Sequence, residues 1–128
     1  MAQSAIDLSG LPTIANPGRV AILKSKWYPE LNDSLADTCA GVLREKGFDR
    51  VETHTLPGSL ELPLAAADLL AADSDREIDA IVCFGVIVKG ETLHFEMITN
   101  ECMRGLGDVM REYRCPIIVE ILPVLDIS

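Results

Sequence analysis

The residues best suited to chemistry lie in one segment, residues 83–96, with the sequence CFGVIVKGETLHFE. His94 is the group of most interest, because histidine titrates nearest neutral pH and is the usual side chain for proton transfer. Lys89 precedes it and carries a charge that could attract a phosphate. Thr92 can cap a helix beginning here, and a helix start offers free N–H groups and a positive dipole end to an anion. The segment therefore predicts an anion site with a proton-transfer group beside it.

Simpler interpretations of the same residues remain open. His94 would then be a surface or core-edge histidine with one hydrogen bond, and Lys89 a solvated charge. Two other segments carry candidate groups of the same kind. Trp27 is the only tryptophan, and in a loop it serves either as a stacking platform for a flat ring or as a cap on the core. Glu61, in an apolar segment, either accepts hydrogen bonds from a ligand or stabilises a helix start.

The elements that must position these groups alternate between strands and helices. Apolar runs predict four strands, over Arg19–Lys24, Val51–Thr55, Asp79–Phe84 and Ile117–Leu122. Between them, helical spacing predicts a helix from Pro29 to a stop at Gly47, a second capped by Ser59, and a long third helix after Thr92. Such alternation predicts an α/β fold with a parallel sheet.

Each predicted helix has an apolar face at spacings of three and four residues. For the first helix the predicted face is Leu31, Leu35, Cys39, Val42 and Leu43, and for the second Leu60, Leu64, Ala67, Leu70 and Ala71. For the third it is Phe95, Ile98, Cys102, Leu106, Val109 and Tyr113. The loops after the first three strands, residues 25–28, 56–61 and 85–94, should then face one rim of the sheet. Ligands bind at that rim in open α/β sheets, so Trp27, Glu61 and His94 are expected to meet there.

Composition limits the class of protein. The 128 residues are 48% hydrophobic and 24% charged, which suits one globular domain. We assign residues 1–18 to an N-terminal arm and residues 19–128 to the domain. A formal net charge of −9 disfavours nucleic acid and anionic membranes as partners. Four cysteines without a C-x-x-C pair indicate core thiols in a reducing compartment, and the start of the chain lacks a signal peptide pattern, so we expect a cytoplasmic protein.

Three motifs together resemble the 6,7-dimethyl-8-ribityllumazine synthases, a family of riboflavin biosynthesis. They are Trp27 after the first strand, residues 57–63 (PGSLELP) and residues 85–95 (GVIVKGETLHF). The resemblance covers Arg19 to Leu122 in order and spacing. It implies a flavodoxin-like, three-layer α/β/α sandwich with a mainly parallel four-stranded sheet of order 2-1-3-4.

The resemblance also implies a reaction. The family condenses 5-amino-6-(D-ribitylamino)uracil with 3,4-dihydroxy-2-butanone 4-phosphate to give the lumazine, phosphate and water, with no metal or redox cofactor. By position, Trp27 matches the aromatic residue that stacks on the pyrimidine, and His94 matches the proton-transfer histidine. The remaining matches are Ser59, Leu60 and Glu61 at the ribityl pocket, Val86 and Ile87 at the pyrimidine edge, Glu91 and Thr92 with Lys89 at the phosphate, and Val119 at the wall formed by a neighbouring subunit.

The family assembles as pentamers or multiples of pentamers, so the arm is expected to pair with a neighbour's sheet edge. Its members usually continue after the fourth strand with two helices, a phosphate-binding arginine and a lysine-glycine segment. The chain is therefore expected to be C-terminally short and to bind phosphate weakly. Its fourth strand is expected to expose apolar surface, because a covering helix would be missing over Ile117, Ile118, Val119, Ile121 and Leu122.

The residues leave one alternative function open and disfavour two other classes of α/β protein. A non-catalytic lumazine- or flavin-binding protein, or an assembly scaffold of the same fold, is the alternative. A phospho-receiver would need acidic residues at the end of the first strand, where Lys24, Ser25 and Lys26 stand. A flavodoxin would need a phosphate loop rich in Ser, Thr and Gly there, which residues 27–29 do not supply.

Overall fold

The computed structural model describes residues 9–10 and 16–126 of the chain. Over residues 16–126 the strands are β1 (Arg19–Ser25), β2 (Arg50–Leu56), β3 (Ile78–Val88) and β4 (Ile117–Val124). The helices are α1 (Pro29–Glu45), α2 (Leu62–Ala72) and α3 (His94–Tyr113), and a short 3₁₀ helix, Ser59–Glu61, precedes α2. Most of the predicted arm, residues 1–18, lies outside the described residues.

The four strands form one sheet in the order β2-β1-β3-β4, and every neighbouring pair is parallel. Helices α2 and α3 pack on one face, where Leu62 and Leu106 join Leu23 and Cys83 in a buried cluster. Helix α1 packs on the other face, where Ala36 contributes to a second cluster. The predicted three-layer α/β/α architecture and strand order are therefore confirmed. Within the described ranges, no helix is both long and apolar enough to cross a membrane.

Strand β3 is longer than predicted. The sequence interpretation ended it at Phe84 and treated Gly85 as a turn residue, but the strand continues to Val88 beside β4. Gly85 is needed for packing instead: a Cβ there would lie 2.7 Å from Ser59 Oγ and 3.1 Å from Ile121 Cδ1. The glycine thus allows the 3₁₀ helix to approach the sheet, and the expectation of a loop at residues 85–88 was wrong.

Two of the predicted helix faces are also corrected. Helix α1 buries Asn32, Ala36 and Ala40, while Leu31 and Leu35 are exposed. Helix α2 buries Leu62, Ala66 and Leu70, and the predicted core residues Leu60 and Leu64 are exposed. In both helices the buried face carries alanines, whose small side chains let a helix lie close to the sheet. The face of α3 is confirmed, with Cys102, Leu106 and Val109 buried and Phe95, Ile98 and Tyr113 packed at its margin.

The helix ends follow the predictions in part. Pro29 opens α1, and Gly47 follows it with a φ of 108°, a left-handed conformation that favours glycine. Ser59 does not cap α2, because it is the first residue of the 3₁₀ helix. The N-cap position of that helix is Gly58. Thr92 lies one residue before the N-cap position of α3, which is Leu93. Its Oγ1 nevertheless accepts a hydrogen bond from the His94 N–H at 3.3 Å.

The expectation of an uncovered fourth strand is met only on the α1 side of β4, because Ile117, Val119 and Ile121 pack in the core on the opposite face. Helix α1 packs on β1, β2 and β3, and the described residues supply no helix over β4 on that side. Ile118 is 48% exposed and Leu122 38%, whereas Ile121, which points to the opposite face, is 6% exposed. Two isoleucines of one strand therefore occupy opposite environments.

This difference predicts unequal effects of one substitution at the two positions. Ile118→Thr should change the free energy of unfolding by no more than about 0.5 kcal/mol, because its side chain faces solvent. Ile121→Thr should cost about 2 kcal/mol or more, because it removes buried carbon and buries a hydroxyl. Urea unfolding of both variants measures the difference. Similar losses at the two positions would mean that the outer face of β4 is covered in solution.

Candidate functional site

A cleft of about 560 Å³ lies beyond the carboxyl ends of β1 and β3. Three separate segments line it: the β1–α1 loop, the 3₁₀ helix with the residues before it, and the end of β3 with the first turns of α3. The lining residues are Lys26, Trp27, Tyr28, Pro57, Gly58, Ser59, Leu60, Glu61, Val86, Ile87, Val88, His94 and Ile98. The parallel order of the sheet is what brings these segments to a common rim.

The β1–α1 loop presents the tryptophan to solvent. Trp27 is 59% exposed, which excludes the interpretation that it caps the core. The backbone around it is held by hydrogen bonds from Lys26 N–H to Leu56 O at 2.9 Å and from Trp27 N–H to Ser25 Oγ at 3.1 Å. The Lys26 ammonium lies 5.7 Å from the centre of the indole ring, at cation–π distance. The loop therefore offers a fixed aromatic surface with a positive charge beside it.

The 3₁₀ helix brings a carboxylate to the same place. A Cβ built on Gly58 would lie 3.2 Å from Glu61 Oε2 and 3.8 Å from Trp27 Nε1, so both groups flank one point of the cleft. Glu61 precedes α2 as its N-cap residue, yet its side chain makes no capping hydrogen bond. Its place at the start of α2 still agrees with stabilisation of the helix start by its charge. The carboxylate is exposed and can accept hydrogen bonds from a ligand in the cleft.

The floor and far wall of the cleft come from β3 and α3. Val86 and Ile87 are buried near the end of β3, within the strand rather than in the loop expected from the sequence. They offer backbone and apolar surface to the cleft. His94 is the first residue of α3 and is exposed to solvent. Its imidazole is thus accessible to a ligand, while its own N–H is satisfied by Thr92 Oγ1.

The structure brings together seven of the site residues predicted from the sequence: Trp27, Ser59, Leu60, Glu61, Val86, Ile87 and His94. Lys89, Glu91 and Thr92 do not line the cleft; they are exposed in the segment that joins β3 to α3. The Lys89 N–H donates to Val124 O at 2.8 Å, which continues the β3–β4 pairing. Val119 lies in the middle of β4 opposite Cys83 and packs against the core of its own chain.

Some lining residues were missed at the sequence level. Lys26 and Tyr28 flank Trp27 directly, so the platform interpretation could have included them. Ile98 was assigned to the core face of α3, although it lies one helical turn after His94 and therefore on the same side. Pro57, Gly58 and Val88 carry no side-chain chemistry that would have singled them out.

The four cysteines offer no nucleophile to the cleft, and none of them lines it. All four are free thiols, and three of them, Cys83, Cys102 and Cys115, are buried. Burial raises the pKa of Cys83 to about 12 and that of Cys102 to about 11, so both stay protonated at neutral pH. They act as small core residues, as the sequence predicted. In the described part of the chain, no three His, Cys, Asp or Glu side chains are grouped as a metal site would require.

Comparison with known proteins gives a consistent result. Residues 17–128 match the family model described as 6,7-dimethyl-8-ribityllumazine synthase. Among curated relatives of that name, the protein of Sphingopyxis alaskensis is 47% identical over 87 residues, which are 68% of this chain and 59% of the relative. The protein of Nitrosomonas europaea is 38% identical over 109 residues, 84% of this chain and 65% of the relative. That of Neisseria gonorrhoeae is 33% identical over 106 residues, 81% of this chain and 65% of the relative.

The chain thus spans 59 to 65% of the length of these relatives. The family model covers the whole of the described sheet and its helices, including all three segments that line the cleft. On this match, the chain belongs to the 6,7-dimethyl-8-ribityllumazine synthase family.

Proposed function

We propose that the protein condenses 5-amino-6-(D-ribitylamino)uracil with 3,4-dihydroxy-2-butanone 4-phosphate to form 6,7-dimethyl-8-ribityllumazine, phosphate and water. The observation that carries the proposal is the convergence of Trp27, Glu61 and His94 on one cleft from three separate segments. An aromatic surface, a carboxylate and an imidazole are the groups needed to hold a flat ring with a polyol chain and to move protons on it.

In this proposal the pyrimidine ring stacks on Trp27, and the ribityl chain runs toward the 3₁₀ helix. Glu61 accepts hydrogen bonds from the ribityl hydroxyls, while Ser59 and Leu60 line the same pocket. Val86 and Ile87 contact the ring edge from the end of β3. Because these residues are fixed by the sheet and by packing, the ring is aligned for reaction before the second substrate arrives.

His94 supplies the proton transfers. An amine that attacks a ketone gives a carbinolamine, whose oxygen must be protonated to leave as water and form the imine. Loss of phosphate then requires a proton to be taken from carbon. One histidine can serve both steps in turn. The start of α3, with Lys89, Glu91 and Thr92 before it, would receive the phosphate and stabilise its charge as it leaves.

The protein is expected to assemble as a pentamer or a multiple of pentamers in the cytoplasm, with Val119 of a neighbouring chain near the substrate. Exposed apolar side chains on α2 and at the start of α3 favour self-association, since Leu64 is 64%, Leu93 70% and Met97 67% exposed. Light scattering gives the mass directly. A monodisperse monomer at micromolar concentration would contradict the assembly.

The test of the activity is product formation from the two purified substrates, followed by lumazine absorbance and by released phosphate. Equal amounts of lumazine and phosphate are expected, in proportion to enzyme concentration. Binding of the lumazine without turnover would instead support a non-catalytic ring-binding protein. A lack of both would contradict the proposal.

Trp27 is expected to report ring binding directly, because it is the only tryptophan of the chain. Its fluorescence should be quenched when lumazine or riboflavin stacks on the indole. Trp27→Ala should weaken ring binding by about 0.5–1.5 kcal/mol beyond the loss of contact area. Trp27→Phe is the matched control and should retain most of the affinity in a titration that follows ligand fluorescence. Unchanged binding by Trp27→Ala would place the ring elsewhere.

A further inference from the structure

Asn32 is an unusual residue in the first turns of α1. Among the described residues it is one of three buried polar side chains, and it is 0% exposed. Its Nδ2 donates to Trp27 O at 2.8 Å and to Ser25 O at 3.2 Å, and its backbone N–H donates to Tyr28 O at 3.1 Å. It does not line the cleft. Asn32 thus holds three carbonyl groups of the loop that carries the tryptophan.

This loop needs an external support. Tyr28 adopts a left-handed conformation, with φ 51° and ψ 57°, which a residue with a side chain rarely occupies. No side chain caps the start of α1. Both the Ser25 and the Trp27 carbonyl groups face Asn32: the hydrogen bond to Ser25 O is buried, and the one to Trp27 O is partly buried. A buried carbonyl group requires a donor. A carboxamide is well suited to this place, because one NH₂ group can donate to two carbonyl oxygens.

The other end of the same side chain is informative. Asn32 Oδ1 is buried and has no hydrogen-bond partner among the described residues. An unpaired buried acceptor is unfavourable, so the carboxamide contributes through its NH₂ group alone. The NH₂ group fixes the direction of the backbone at Ser25 and Trp27, the two residues on either side of Lys26.

We propose that Asn32 is a positioning residue for substrate: it fixes the Trp27 platform in the orientation that accepts the ring. The inference rests on the proposed function for its ring ligand. A platform held in place before binding loses less conformational freedom when the ring stacks, and this raises affinity without any contact between Asn32 and the ligand. Asn32 acts through Trp27, so its removal should affect ring binding and leave phosphate binding unchanged.

The test compares Asn32→Leu, which keeps the approximate size and removes the donors, with Ala36→Gly. Ala36 is a buried residue of the same helix that makes no contribution to the loop, so it controls for loss of α1 stability. Asn32→Leu should lower lumazine affinity by about tenfold and add a fast component to the Trp27 anisotropy decay. Orthophosphate affinity should not change. Ala36→Gly should leave all three measurements as in the wild-type protein.

A double-mutant cycle separates positioning from general damage. In a Trp27→Ala background, Asn32→Leu should change lumazine affinity by less than about twofold, because the platform on which it acts is absent. Full additivity of the two substitutions would overturn the proposal. So would an unaltered anisotropy decay in Asn32→Leu. If Asn32→Leu does not fold, Asn32→Ser, which keeps one donor, is measured in the same way and should give an intermediate effect.

The anisotropy measurement needs no ligand, so it tests Asn32 even if the proposed function fails. Failure of the wild-type protein to bind lumazine would count against that function. Normal lumazine binding with a rigid Trp27 in Asn32→Leu would count against the positioning role alone.

Discussion

Replacing His94 with alanine is expected to lower turnover by about a hundredfold or more, with lumazine affinity within about twofold of wild type. His94 is the histidine of the cleft, and histidine is the usual side chain for proton transfer; it begins α3 and is exposed to the cleft. Its removal should therefore slow the steps that move protons and leave the stacked ring in place. Steady-state kinetics at saturating concentrations of both substrates, with an equilibrium titration of the product, measure the two effects separately.

His94→Gln is the matched control, since glutamine can still form hydrogen bonds but cannot transfer a proton at neutral pH. Its turnover should be as low as that of His94→Ala. Added imidazole should partly restore activity to the alanine variant by replacing the missing group. Wild-type turnover in either variant would remove His94 from the mechanism and leave positioning of the substrates as the main source of rate.

The second large effect is expected at Gly85. A Cβ at this position would lie 2.7 Å from Ser59 Oγ, closer than real Cβ atoms approach other heavy atoms, and 3.1 Å from Ile121 Cδ1. Gly85→Ala should therefore displace the buried Ser59 side chain and the end of Ile121, and cost about 1–3 kcal/mol of unfolding free energy. Because Ser59 and Glu61 belong to the same 3₁₀ helix, lumazine affinity should fall as well. Urea unfolding and a lumazine titration measure both consequences.

Gly41 offers the control for this substitution. It lies within α1, and a Cβ built there meets nothing within 4 Å. Gly41→Ala should raise the free energy of unfolding by about 0.5–1 kcal/mol, because alanine favours the helix and no neighbour is displaced. Lumazine affinity should be unaffected. A stable Gly85→Ala variant with normal ring binding would contradict the prediction and would mean that the Ser59 hydroxyl turns aside while the 3₁₀ helix stays in place.

The sequence was sufficient to predict the parallel sheet and to predict that three segments meet at one of its rims. Apolar runs that predict strands and apolar spacing that predicts helices are local signals. A parallel sheet then brings the carboxyl ends of β1 and β3 to one rim, independent of the exact ends of the elements. This is why Trp27, Glu61 and His94 could be placed together from their positions in the chain.

The sequence-based predictions were wrong at positions whose role is set by packing between elements that are distant in the chain. Glycine is common in turns, so Gly85 was placed in a loop. Its role is instead set by Ser59, which approaches from another element. The buried face of α1 passes through Asn32 and two alanines, so the pattern of large apolar residues followed only its margin: Cys39 and Leu43 pack against the core, but Leu31 and Leu35 are exposed. Asn32 itself gave no signal, because a polar residue in a helix is ordinarily a surface residue and its two acceptors belong to a loop whose shape the sequence does not specify.

The placement of β1 has a consequence for how the chain reaches this structure. β1 is interior to the sheet, and its partner on one side is β3, which lies beyond α1, β2 and α2 in the chain. Leu23 of β1 is buried only once Leu62 and Leu106 are also in place. Contacts of such long sequence separation close slowly. During synthesis, the apolar surface of β1 should therefore remain open until most of the domain has left the ribosome, and this is the interval in which the chain is most exposed to aggregation.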